Sequence, residues 1–405
     1  MPRRALLLLA GTTIAIAPCG AATSQVLNQV QLGDVFSTQA LNVETVTETT
    51  EASTTATANQ ASLGADGVDM DVRTYQESGG RVGADTRLSV GYSSGQVTDL
   101  YTGAAGNTGE ATVIGGTMTG VITQTVSPSE ITAYSYTSAR SGRTDNVVSV
   151  SQAAGNDQAL GVSAGAAGVR VTQHNEGEIF GGGGGEYSYV PGVADFQGDA
   201  AGNRTTLNGD GGSAERIIAT QNNAAGSVEA SQYTAFGNVQ DSATRTTAAG
   251  NTLNAYNEGY LLDATATQLN SAYVRSEAKS QAVLYGAGQS TAEATGNMLL
   301  AGNVGGELVL DASQTNSGGG VEAIADFTAE DGYDAHVAAT ATGNSATGYA
   351  CADCQGVISV NSSQTNDADV AANASTSVAV SGRSVTGVAK AVGNSATYYV
   401  TRPGQ

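Results

Sequence analysis

The sequence predicts an all-β chain, folded as an elongated β-solenoid (β-helix) of about eight repeat units of roughly 48 residues each. Three observations predict it: two ladders of amide residues that stay in phase, strand-like alternation between turn signals, and a composition too poor in bulk for a large globular core. One ladder is an Asn after a small residue: Asn59, Asn107, Asn156, Asn203, Asn251, Asn297, Asn344 and Asn394, at intervals of 46 to 50 residues. The other is Gln29, Gln76, Gln124, Gln173, Gln221, Gln268, Gln314 and Gln364, at intervals of 46 to 50. The step from each Asn to the next Gln is 17 residues five times, 18 once and 20 once. Chance placement would scatter these intervals and let the ladders drift apart.

In chain order, residues 1–22 have the form of a secretory signal peptide. Arg3 and Arg4 precede the apolar run Ala5 to Ala17, and Gly20-Ala21-Ala22 supplies small residues for cleavage. Ile16-Ala17-Pro18-Cys19 loosely resembles a lipobox, but Pro18 next to Cys19 argues against lipidation. No later stretch is long and apolar enough for a membrane-spanning helix.

Residues 23–405 read as a single repetitive domain. Its first unit, 23–70, carries an acidic, Thr-rich run from Val43 to Thr55 where later units have a mid-unit glycine, and is expected to act as an N-terminal cap. Each unit then reads as three alternating stretches. In the unit starting at Gln314, Val321, Ala323, Ala325, Phe327 and Ala329 share one strand face. Asp331-Gly332 turns, Ala335, Val337, Ala339 and Ala341 form the next inward row, Gly343-Asn344 turns again, and Ile358, Val360 and Ser362 lead to Gln364. Gly95, Gly142, Gly192, Gly237, Gly286, Gly332 and Gly382 mark the middle turn. The run Gly181 to Gly185 lacks the Lys-Ser/Thr of a phosphate loop and reads as a flexible bulge. Cys351 and Cys354 sit in a short insertion and are expected to form a disulfide staple. A last strand falls near 396–400, with Pro403 after it to block further pairing.

Buried amides need partners for both donor and acceptor. Stacked on successive coils they can bond to the copies above and below, as in cross-β ladders. For Gly-Asn the alternative is a plain turn with no ladder; Gln is not a turn residue, so its column is harder to explain otherwise. A coil of about half a unit would give two coils per unit and, at about 4.8 Å per coil, a stack of roughly 75 Å.

Charge narrows the function. Without the signal segment, 14 basic residues face 37 acidic ones, a balance of −23, which repels nucleic acid and anionic membrane. The 54 glycines, five Phe and no Trp suit a narrow interior of small residues. Neither His174 nor His336 has a recurrent nucleophile or carboxylate partner, and Asp66, Asp69 and Asp71 read as a solvated acidic loop rather than a calcium site. No residue is assigned a catalytic, cofactor or metal role, and the chain is read as a non-enzyme.

Two resemblances follow from these phrases. Gln-x-Asn and Gly-Asn with flanking Ala and Ser resemble the repeats of curlin-type amyloid subunits, although those repeats are roughly half as long. The signal peptide, the acidic Gly/Ala/Thr composition and the Gln-x-Asn/Ala-x-Gly-Asn units from about residue 23 onward are similar to the holdfast anchoring proteins of stalked alphaproteobacteria, the attachment protein D family. That resemblance implies an outer-membrane-associated surface protein anchoring an adhesive exopolysaccharide to the envelope, exported with curli-type channel partners and acting with other holdfast anchor proteins. Two other readings stay open: an amyloid-like fibre subunit that self-associates, and a polysaccharide-modifying β-helix enzyme.

Overall fold

A computed structural model describes residues 22–211, 214–351 and 356–401. The expected signal segment up to Ala21, Cys19, Cys354 and Pro403 lie outside the described residues.

Each unit is one circuit of three walls. The first coil is β1 (Thr23–Gln31), β2 (Val35–Val46) and β3 (Thr49–Asp66). The second is β4 (Met70–Ser78), β5 (Val82–Ser94) and β6 (Val97–Ile114), and the third β7 (Thr117–Val126), β8 (Glu130–Arg143) and β9 (Val147–Ser163). From the fourth coil on, walls two and three run as one bent strand. These coils are β10 (Ala166–Asn175) with β11 (Glu178–Asp210), β12 (Ala214–Asn223) with β13 (Ser227–Asn257), and β14 (Leu261–Asn270) with β15 (Tyr273–Asn303). The last two are β16 (Glu307–Asn316) with β17 (Val321–Cys351), and β18 (Ile358–Asn366) with β19 (Val370–Thr401). Every wall pairs in parallel with its copies, with Gln29 opposite Gln76 and Asn59 opposite Asn107. This is a β-solenoid.

The coil count corrects one expectation. Like residues of adjacent coils are 46 to 50 positions apart, so a unit makes one coil and not two. The three predicted stretches are the three walls of a single circuit, and a wall of up to 18 residues leaves no chain for a second one. At about 4.8 Å per coil the described stack rises roughly 40 Å rather than 75 Å.

The circuit is flattened, because wall three is long enough to cover both of the others. Its first half packs on wall two around Val82, Leu100, Ile131, Phe196 and Phe327. Its second half packs on wall one around Val72, Ile122, Leu160, Leu253 and Leu308. Both layers alternate, and the inward rows Val321 to Ala329 and Ala335 to Ala341 are buried as their spacing requires. In the first two coils inward hydroxyls bond across the interior: Thr102 to Thr86 at 2.7 Å, Thr86 to Thr54 at 2.8 Å and Thr54 to Gln39 at 3.0 Å.

Turns collect at the corners. Where wall three returns to wall one, Gly67, Gly115, Ala164 and Gly211 stack with φ of 68°, 65°, 52° and 68°. Among the described residues Ala164 alone carries a Cβ in this left-handed conformation. Ala164→Gly is therefore expected to raise stability by about 1 kcal/mol in urea unfolding, the relief of strain exceeding the added unfolded-state entropy. The glycines of the middle ladder line the corner between walls two and three, where register shifts absorb the differences in unit length.

Two glycine expectations are corrected. Gly181 to Gly185 is not a bulge: it runs within β11, in register with Ala133–Thr137 and Ala230–Thr234. Gly183 and Gly184 have φ of 143°, and a Cβ on either would stand under 2 Å from a neighbouring carbonyl oxygen. Close approach of backbones is the reason for the run, beside the packed rings of Tyr187, Phe196 and Phe236. Nor is Gly-Asn a turn. It lies in the middle of wall three, where the alternation slips by one residue: in β13 Thr244, Thr246 and Ala248 point inward, then Asn251, Leu253 and Ala255.

The first unit, expected as a cap, stacks in the same register as the others, and among the described residues nothing covers its outer edge. The predicted last strand lies inside β19, with Ala396 opposite Ala346 and Val400 opposite Ala350. Cys351 ends β17 and is buried. The connection onward to Ile358 is longer than at other coils, which is where the insertion falls. Among the described residues no helix is long and apolar enough to cross a membrane.

Candidate functional site

The amide residues form continuous columns inside the walls. Each Gln Nε2 donates to the Oε1 of the Gln one coil earlier, at 2.7 to 2.8 Å, from Gln76–Gln29 through Gln124, Gln173, Gln221, Gln268 and Gln314 to Gln364. The second N–H crosses the interior to wall three, to the carbonyl just after that coil's ladder Asn: Gln221 to Thr252 O at 2.8 Å and Gln314 to Ser345 O at 2.9 Å.

Asn runs the other way. Asn59 donates to Asn107, and so on through Asn156, Asn203, Asn251, Asn297 and Asn344 to Asn394, always towards the later coil and at 2.7 to 2.8 Å. The second N–H of Asn251 returns to wall one at Leu269 O, 2.8 Å away. The two columns thus stitch walls one and three together and point their dipoles in opposite directions. Their place is the seam between the two apolar compartments.

A third column was not read from the sequence. Asn175, Asn223, Asn270, Asn316 and Asn366, two residues after each ladder Gln, bond in series at 2.7 to 2.8 Å. Its signal was the Gln-x-Asn phrase itself, which recurs in the last five coils. This column explains the glycine before the wall-three Asn in the third to seventh coils, Gly155, Gly202, Gly250, Gly296 and Gly343. A Cβ on Gly202 would lie 2.6 Å from Asn223 Oδ1, and one on Gly250 would lie 2.4 Å from Asn270 Oδ1. The first coil, which faces Ser78 in place of an Asn, carries Ala58 there.

The slip in alternation also shapes the outside. Ala154, Ala201 and Ala249 follow inward-facing alanines, yet they too are buried, so the outer surface of wall three is concave along that line. In the first four coils the concavity is a trough of about 460 Å³ with a floor of Ala and Gly. Polar side chains rise from both banks: Tyr101, Gln152 and Asp199 on one, Gln60, Asp157 and Arg204 on the other. Arg204 is held by Asp199 at 3.0 Å and Asp157 at 3.7 Å, and Tyr101 Oη donates to Gln152 Oε1 at 3.2 Å. Burial pushes the Asp157 carboxyl above its ordinary value, Arg204 pulling the other way. Burial opposes the charge of Arg204, but Asp199 and Asp157 outweigh it and its pKa rises. Tyr101 is raised mainly by burial and stays a neutral donor.

The remaining singled-out residues do not converge on this trough. His174 pairs with Glu176 at 3.1 Å on wall one, and His336 bonds Thr386 at 2.9 Å on wall three. Asp71 pairs with Arg73 at 3.1 Å, and Asp69 accepts from the Thr117 amide at 2.8 Å.

A profile of the family described as holdfast attachment protein D matches residues 44–320, well over half of the chain. The chain belongs to the holdfast attachment protein D family. Holdfast attachment is thereby its function at the level the family description gives, with a cell-surface location and a structural role. The match begins in the first coil and ends at Gly320, where the seventh coil turns into wall two, so it covers both the trough and most of the columns. Neither the curated proteins nor the solved structures gave a match.

Proposed function

We propose that this holdfast attachment protein is exported by its signal segment to the outer membrane and there anchors an adhesive exopolysaccharide to the envelope. Its partners in this reading are other holdfast anchor proteins and a curli-type export channel. The family match carries it. Rigid geometry supports it: a load on any wall is shared through the parallel ladders and three amide columns instead of falling on one loop. The test is deletion of the gene with complementation. The expected outcome is adhesin still made but shed into the medium under flow, with complementation restoring attached adhesin. Unchanged retention of adhesin by the deletion strain would refute the anchoring role.

A second reading, the self-associating fibre subunit, is favoured by one observation. The outer edges of β1 and β18 have no strand beside them among the described residues, and the columns end with matching polarity. Gln364 presents a spare Oε1 where the Gln29 Nε2 of another copy would donate, and Asn394 a spare N–H facing the Asn59 Oδ1.

A further inference from the structure

We propose that the trough on the outer face of wall three, in the first four coils, seats a segment of non-acidic polysaccharide. This rests on the anchoring reading above and deepens it by naming the surface and the sugar chemistry. Three features point to a sugar. The floor is built from Ala105, Ala154 and neighbouring glycines, so a broad flat ring can lie close to the sheet. Gly103 matters to that floor, because a Cβ on it would meet the Tyr101 hydroxyl at 3.0 Å and its ring at 3.2 Å. The banks offer planar hydrogen-bonding groups at fixed positions: the Gln152 amide, the Asp157 and Asp199 carboxylates and the Arg204 guanidinium held between them. Vicinal hydroxyls match such planar pairs two at a time, and the half-buried Tyr101 ring supplies an apolar flank. A peptide would instead need apolar side-chain pockets, and the lining has none of Leu, Ile, Val, Met or Phe.

Charge selects the polymer. Glu110, Asp157 and Asp199 outnumber Arg204 in the trough, within a chain of net charge −21. A uronate or sulfated chain would meet like charge at close range, whereas a neutral or amino-sugar chain meets none or is attracted. The cavity also lies within the size range of small-ligand sites, roughly 300–1,000 Å³.

The experiment is calorimetric titration of the purified full mature chain with four hexasaccharides: cello-, N-acetylated chito-, deacetylated chito- and galacturono-oligomers. The expected result is saturable binding of a neutral or cationic hexamer and none of the galacturonate. Tyr101→Ala and the exposed Gln152→Ala are each expected to weaken it tenfold or more, while Tyr399→Ala, at the far end of the stack, leaves it unchanged. No saturable binding, a preference for galacturonate, or equal affinity in the trough variants would overturn the proposal. The anchoring role is judged separately by the deletion strain. If deletion sheds the adhesin while both trough variants retain it, the trough falls and the anchoring stands.

Discussion

Replacing Gln221 with Leu is expected to lower the unfolding free energy by about 4 kcal/mol, where the same change at Gln29 costs under about 1 kcal/mol. Gln221 sits mid-column and 1% exposed. Its Nε2 donates to Gln173 Oε1 and Thr252 O, both at 2.8 Å, and its Oε1 accepts from Gln268. Leucine cancels all three bonds and strands a Gln268 N–H and the Thr252 carbonyl in a dry seam. Each orphaned buried group costs about 1–3 kcal/mol, so the sum exceeds what the added apolar surface returns. At Gln29 the column ends, the side chain is part-exposed, and water can replace the lost partner. Urea denaturation of both variants measures the difference. Equal costs at the two positions would mean that the column contributes no more than an ordinary surface amide. Gln221→Glu is expected to be worse than Leu, since it also places a charge among carbonyls.

That asymmetry explains how much could be read from the chain. Repetition was legible because stacking forces like residues to one height, so the intervals between Gln29, Gln76 and Gln124 are a direct record of coil length. The circuit within a coil was less legible. Gly-Asn has the local chemistry of a turn, and nothing near Gly250 says that the glycine is demanded by Asn270, twenty residues on and across the interior. A similar long-range cause hid the reason for Gly181 to Gly185, whose constraint is the backbone of the coils 48 residues before and 49 residues after them. Two coils per unit was inferred from a customary coil size; the pairing distance, not composition, decides it. The trough went unread for the same reason: Tyr101, Gln152, Asp157, Asp199 and Arg204 come from three different coils and are neighbours only after stacking.

Purified protein is expected to add copies head to tail, giving filaments whose subunit repeat is about 38 Å, eight coils at about 4.8 Å. The ends make this possible. In β1 the Thr23 N–H and the Gln31 C=O bond towards the second coil, so those of Ser24, Val26, Asn28 and Val30 face the open edge. A second copy's last coil would satisfy that edge and extend both amide columns without changing their polarity. The opposing force is the charge of −21 on each copy, so growth is expected to be slow in low salt at pH 7. It should accelerate with added salt and as pH falls towards the isoelectric value of about 4.2. Asn28→Pro removes an outward donor that serves no bond inside the molecule, and Leu27→Lys places a charge on the inward row that a second copy would bury. Each is expected to slow filament growth at least tenfold, measured by light scattering and electron microscopy, with the melting temperature nearly unchanged. Val26→Lys, on the outer face of the same strand, should leave growth intact. Filaments that grow equally well with Asn28→Pro and Leu27→Lys would show that copies associate through their walls and not their ends, leaving the matched column polarity without a role in assembly.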